Sequence, residues 1–192
     1  MLRFWSENYG WGADSPTRLL IWHSLLTATV GILSCCVNTL GEEIGWRGFL
    51  VPALYQHYSY AKTSLLAGMC WAGWHMPILF FANYNNGPQA PLWLGAGCFT
   101  ALTIGLSFAY TWLRLKSGSL WPCVLFHSAH NMFIQALFSP LTQNTPATPF
   151  WSDEFGLLVP LVSLLTGYMF WRRRRELPTV QNGPATEPAS VE

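Results

Sequence analysis

Long apolar runs separated by short polar punctuation dominate the chain. Residues 19–41, 63–113, 117–152 and 155–171 contain no Asp, Glu, Lys or Arg. A helix rises 1.5 Å per residue, so about 20 mostly apolar residues cross the roughly 30 Å hydrocarbon layer of a membrane. The 63–113 stretch is long enough for two crossings, and its turn-rich centre, Asn83-Tyr84-Asn85-Asn86-Gly87-Pro88, divides it. The pattern predicts apolar segments at about 19–50, 61–82, 91–113, 118–138 and 155–171. The expected architecture is all-α: a polytopic transmembrane bundle of five or six membrane segments around a polar cavity. It occupies residues 1–175, and a polar, Pro-containing tail over 176–192 is too poor in apolar residues to pack. No internal repeat is evident. Residues 1–17 mix charge, Gly and Trp without an apolar run, unlike a cleavable signal peptide.

Composition narrows the choice further. Charged residues make up 10% of the 192, against roughly 25% in ordinary globular domains, which leaves too little polar side chain to solvate a large soluble helical core. The net charge of +1, without Lys/Arg runs interleaved with aromatics, gives no footprint for nucleic acid; the expected partners are the lipid bilayer and a peptide or protein substrate. Cys35, Cys36, Cys70, Cys98 and Cys123 all fall in apolar segments with no Cys-x-x-Cys spacing, and read as small buried residues rather than as a disulfide or zinc framework. Positive charge is asymmetric. Lys62, Arg114, Lys116 and the four arginines at 172–175 fall on one side, and only Arg3 and Arg18, beside Asp14, Asp153 and Glu154, fall on the other. The excess predicts a multi-pass integral membrane protein with its N-terminus outside and its C-terminus cytoplasmic. Trp93, Trp112, Trp121 and Trp171 lie near segment ends, as interfacial anchors do, whereas Trp71 and Trp74 lie mid-segment.

Against this background three polar clusters stand out. The first is Glu42, Glu43 and Arg47, the only formal charges well inside the apolar segments. A charge at mid-bilayer costs roughly 3 kcal/mol on insertion scales and turns toward the bundle interior; in the headgroup region it costs little. Glu43 and Arg47 are four apart with Glu first, the favourable order for an ion pair. Glu42 projects about 100° away and has no local partner, which suits a general base. The second cluster is Trp71, His75 and Pro77, flanked by Ala67, Gly68, Ala72 and Gly73, small enough for a neighbouring helix to approach. A single intramembrane His is more often a hydrogen-bonded structural residue than a catalyst. The third is His127, His130 and Asn131. His127 and Asn131 share a helical face and His130 partly shares it, so the group offers donors for an oxyanion or for a neighbouring helix.

Taken in order, Glu-Glu-x-x-x-Arg (Glu42, Glu43, Arg47), aromatic-x-x-x-His (Trp71, His75) and His-x-x-x-Asn (His127, Asn131) resemble the motifs of the CAAX endopeptidase and bacteriocin-processing family of intramembrane proteases. The resemblance covers about residues 42–131. Trp71 stands where the family usually has Phe, and about one span precedes the first motif where relatives commonly have more. The resemblance implies a helical bundle enclosing a water-accessible cavity, in which Glu42 activates water, His75 helps hold it, His127 and Asn131 stabilise the oxyanion, and the Glu43–Arg47 pair fixes the site. The activity it implies is hydrolysis of a peptide bond in a membrane-associated substrate, prenylated or leader-bearing, without a cofactor. A zinc variant through Glu42, His75 and His127 supplies three ligands and an open fourth position, although the chain lacks His-Glu-x-x-His. Two other classes stay open: a non-catalytic scaffold or immunity factor on the same fold, and a proton-coupled transporter, which the missing repeat disfavours.

Overall fold

The structure is a computed structural model that describes residues 16–82 and 90–178. The turn expected at 83–88, the N-terminal stretch before 16 and the tail from 179 lie outside the described residues. Among the described residues every regular element is helical and none is a strand.

The expected 19–50 segment is one continuous helix, α1 (Thr17–Tyr55, 39 residues). At 1.5 Å per residue it reaches about 58 Å, nearly twice the hydrocarbon thickness, so it is steeply inclined or runs beyond the apolar layer. It widens into π-helix at Thr27–Gly31 and Ile44–Leu50. α2 (Tyr60–Phe81) starts at a Ser59 cap, whose hydroxyl accepts from the Lys62 backbone N–H, and runs through Pro77 as a single helix. α3 (Leu92–Ser117) stops at Gly118, whose φ of +69° is the left-handed conformation that closes a helix when no Cβ is present. α4 starts as Trp121–His130, widens to π-helix over Asn131–Phe138 and ends with Ser139–Leu141. A short turn, α5 (Thr148–Trp151), leads to α6 (Leu158–Arg172) and a closing 3₁₀ turn, Arg173–Glu176.

Two of the π-helical stretches run up to a proline two residues on: Leu50 precedes Pro52, and Phe138 precedes Pro140. Proline removes an i→i−4 bond and its ring crowds the carbonyl four residues back, and a locally wider turn accommodates both.

α3 is the central helix, packed between α2 and α6, while α4 lies against α1. The packing is close because of glycine. A Cβ on Gly68 of α2 would sit 2.7 Å from the Ile104 Cα, and one on Gly167 of α6 would sit 2.6 Å from the Gly105 carbonyl oxygen. Without a hydrophobic driving force between helices in lipid, such backbone-to-backbone contact is a main source of association. Trp71, Phe99, Leu102, Leu106, Tyr110, Cys123 and Phe155 form the buried core. Leu33, Val37, Phe49, Trp74, Trp93 and Val162 point outward, the inverse of a soluble protein and the arrangement lipid rewards. The chain is therefore an all-α helical membrane bundle.

Three details differ from expectation. Among the described residues three helices, α1, α2 and α3, are long and apolar enough to span, so the expected five or six is met in part. α4 is diluted by His127, His130, Asn131 and Gln135, and the 15 residues of α6 reach only about 22 Å. Cys70 is exposed rather than buried, because it shares with Met69 the outward face of α2, where an apolar thiol meets lipid without cost. Beyond α6, Leu177 is buried against Tyr60 and Trp112, and the Lys116 ammonium donates to the Glu176 carbonyl at 2.8 Å.

Candidate active site

α1 supplies the anionic part of the site where its regular helix passes into the second π-helical stretch. Glu43 and Arg47 are fully buried, and an Arg47 Nη1–H donates to Glu43 Oε1 at 2.8 Å. Arg47 also lies between two rings, 4.6 Å from the Trp71 centroid and 4.1 Å from that of Tyr110. A guanidinium stripped of water is stabilised by a carboxylate on one side and aromatic faces on the others.

The same Glu43 oxygen accepts from His127 Nδ1 at 2.9 Å. A carboxylate paired with Arg can only accept, so Nδ1 carries the hydrogen. The neutral ring then presents Nε2 as an acceptor. Only the imidazolium presents a second N–H, and Glu43, already paired with Arg47, would be shared between the two cations. His75 is fixed in a parallel way on α2: its Nδ1 donates to the Trp71 carbonyl at 3.0 Å, which leaves Nε2 as the acceptor. Trp71 ties the two histidines together, its ring edge-on to both at 5.3 Å from His127 and 6.3 Å from His75.

Glu42, His75, His127 and Asn131, from α1, α2 and α4, line one cavity of about 40 Å³. At about 15 Å³ per water, this has room for two or three. Glu42 Oε2 is buried and has no hydrogen-bond partner among the described residues. Glu43 and Arg47 do not line the cavity; they stand behind it and reach it through His127. Glu42 also borders a second space, an open apolar groove of about 400 Å³ formed with Gly41, Gly45, Trp46, Phe49, Leu50 and Trp74. Phe49 and Trp74 are strongly exposed, so the groove opens on the lipid-facing surface.

The cavity has a far wall that the motifs did not include. Glu154, in the connection between α5 and α6, is buried and accepts from His130 Nε2 at 2.8 Å and from the Gln135 amide at 3.2 Å. All three line the cavity. Burial pushes the Glu154 carboxyl up, but the His130 and Gln135 donors outweigh it and hold it below the ordinary carboxylate range. In the sequence, Asp153-Glu154 between two apolar runs looks like an ordinary polar loop. A weak signal was present in His130, spaced three from His127.

Among the described residues no three His, Cys, Asp or Glu side chains converge as a metal site requires. The zinc set of Glu42, His75 and His127 shares a cavity without forming one.

A family model described as type II CAAX prenyl endopeptidase Rce1-like matches residues 23–133, more than half of the chain. A CAAX prenyl protease 2 of Methanococcus maripaludis is 33% identical over 108 residues, 54% of this chain and 38% of that protein. An uncharacterised Bacillus subtilis protein, YyaK, is 28% identical over 151 residues, 72% of this chain and 46% of its own length. The chain thus spans less than half the length of either relative. No solved structure matches.

Proposed function

The chain belongs to the type II CAAX prenyl endopeptidase Rce1-like family, and on that premise we propose that it is an intramembrane endopeptidase acting on a lipid-modified, membrane-held peptide. The observation that carries the proposal is the meeting of Glu42, His75, His127 and Asn131, from three helices, around one small cavity in an otherwise apolar bundle. Glu42 takes a proton from a water that the acceptor nitrogen of His75 helps to hold. The resulting hydroxide attacks the scissile carbonyl, and the imidazolium of His127 with the Asn131 amide receives the developing negative charge. Glu43 acts through His127, setting its tautomer, and Arg47 fixes Glu43 in place.

The groove supports the substrate class. It is apolar, opens toward lipid and has Glu42 on its wall, so an isoprenoid or similar chain laid along Trp46, Phe49 and Trp74 would bring the adjoining peptide bond near the carboxylate. The zinc variant stays a rival for the same chemistry, and an orientation with the C-terminus in the cytoplasm is part of this proposal. The test is cleavage of a farnesyl-cysteine reporter peptide by the full chain in proteoliposomes, with Glu42→Gln as control. Cleavage that disappears with Glu42 supports the reading. Cleavage indifferent to Glu42 overturns it, and a folded wild type that cleaves no reporter turns attention to a non-catalytic scaffold.

A further inference from the structure

Peptide hydrolysis needs two proton movements, one from the attacking water and one to the departing amine. The four motif residues supply the first and the oxyanion contacts. His75 Nδ1 is committed to the Trp71 carbonyl and His127 Nδ1 to Glu43, and the Nε2–H of the His127 imidazolium is taken by the oxyanion, so among these four only Glu42, once it holds the water's proton, is left to serve the second.

The order of spaces along the site suggests a side for the departing amine. Glu42 borders both the groove and the cavity, whereas His130, Gln135 and Glu154 line the cavity and not the groove. A substrate anchored by its lipid in the groove, with its scissile bond at Glu42, would turn the departing nitrogen toward the His130 wall. There His130 Nε2 is held by Glu154 Oε1 at 2.8 Å, with His130 side chain and carboxylate 11% and 5% exposed. The carboxylate is fixed from its other side by Gln135. A carboxylate on one imidazole nitrogen sets the tautomer, stabilises the protonated ring and leaves the other nitrogen for the substrate.

We propose that His130 is the general acid of the reaction, protonating the departing amine, and that Glu154, which lies beyond the residues the family model matches, is its positioning residue. The inference rests on the protease reading above. As the tetrahedral intermediate collapses, the oxyanion pair re-forms the carbonyl and the C–N bond breaks with its electrons going to nitrogen. That nitrogen takes the proton from Nδ1 of the His130 imidazolium, whose Nε2–H stays on Glu154. Neutral His130 regains a proton from the one Glu42 took from water. One water is consumed, an acid and an amine are released, and the protein ends as it began.

The experiment compares two farnesyl-cysteine peptides of the same sequence, one with an amide and one with an ester at the scissile bond, cleaved by the full chain in proteoliposomes. An alkoxide is a far better leaving group than an amide anion and has little need of an acid. Loss of His130 in His130→Gln should therefore lower kcat for the amide by roughly 10²-fold while changing the ester less than about threefold. Glu154→Gln, nearly isosteric, should show the same split in weaker form, and it carries the test should His130→Gln fail to fold. Equal loss on both bonds, or loss on neither, overturns the inference and leaves the protease reading standing. Glu42→Gln separates the two ideas, since it should abolish cleavage of both peptides. If it does not, the reading itself falls and the inference with it.

Discussion

His127 donates its Nδ1–H to Glu43 Oε1 across 2.9 Å, from a helix 84 residues further along the chain. The oxygen that receives it also receives Arg47. One buried carboxylate oxygen thus joins an ion pair within α1 to the imidazole of α4, and orientation of the cavity face of His127 depends on a residue that never meets the cavity.

Breaking this pair should cost stability before it costs chemistry. Glu43→Gln leaves the Arg47 guanidinium buried without its counter-charge, and losing one partner of a buried pair typically costs about 3–5 kcal/mol. Adding Arg47→Met should recover part of that loss. Denaturant unfolding in detergent micelles gives the comparison, and a double variant no more stable than the sum of the two single changes would argue against coupling.

Glu42 behaves oppositely. Its Oε2 makes no hydrogen bond with a described residue, so Glu42→Gln should unfold at the wild-type temperature while cleavage falls by about 10²–10⁴-fold, the range for a lost general base. A marked drop in unfolding temperature would reassign Glu42 to structure.

Asn131→Ala removes one donor to the oxyanion. The expected result is a kcat lower by about 10²–10³-fold with KM little changed. A rise in KM alone would place the amide in substrate binding.

The Glu154 carboxyl is held below its ordinary value of 4.5 once the opposing effect of burial is overcome by His130 and Gln135. A depressed folded-state value contributes stability above the ordinary value, and that contribution is lost as pH falls through the folded one. Unfolding midpoints measured over roughly pH 3–6 should fall on the acid side, and Glu154→Gln should flatten that fall. An unchanged slope would mean that other carboxyls govern acid unfolding.

The metal question has a direct measurement. With no three-ligand set converging among the described residues, cleavage should survive prolonged chelation at wild-type rates. Loss that zinc restores would install the Glu42, His75 and His127 alternative.

What the sequence disclosed was whatever depends on spacing within a helix or on the expense of polarity in lipid. Glu43 and Arg47, four apart, are paired, and Glu42, a third of a turn away, faces elsewhere. His75, His127 and Asn131 stand out because everything around them is apolar. Glu154 was hidden because its place in the cavity wall depends on how the 142–157 connection folds back, and no periodicity encodes that path. The π-helical stretches were hidden too, since one extra residue per turn barely disturbs a run apolar on every side; Pro52 and Pro140 were the available clues. The expected span count is met only in part, and α4 falls short in hydropathy because His127, His130, Asn131 and Gln135 are polar.

On the proposed protease function, the groove beside Trp46 and Trp74 changes what concentration means for this protein. A molecule that reaches Glu42 along that route is drawn from the pool dissolved in the bilayer, not from the surrounding buffer. Its apparent KM per litre of buffer then contains its oil–water partition coefficient, and two peptides that fit equally well rank by their solubility in lipid. An inhibitor built for this opening would gain potency with each methylene up to the length of the groove, and beyond that length would gain only adhesion to the membrane.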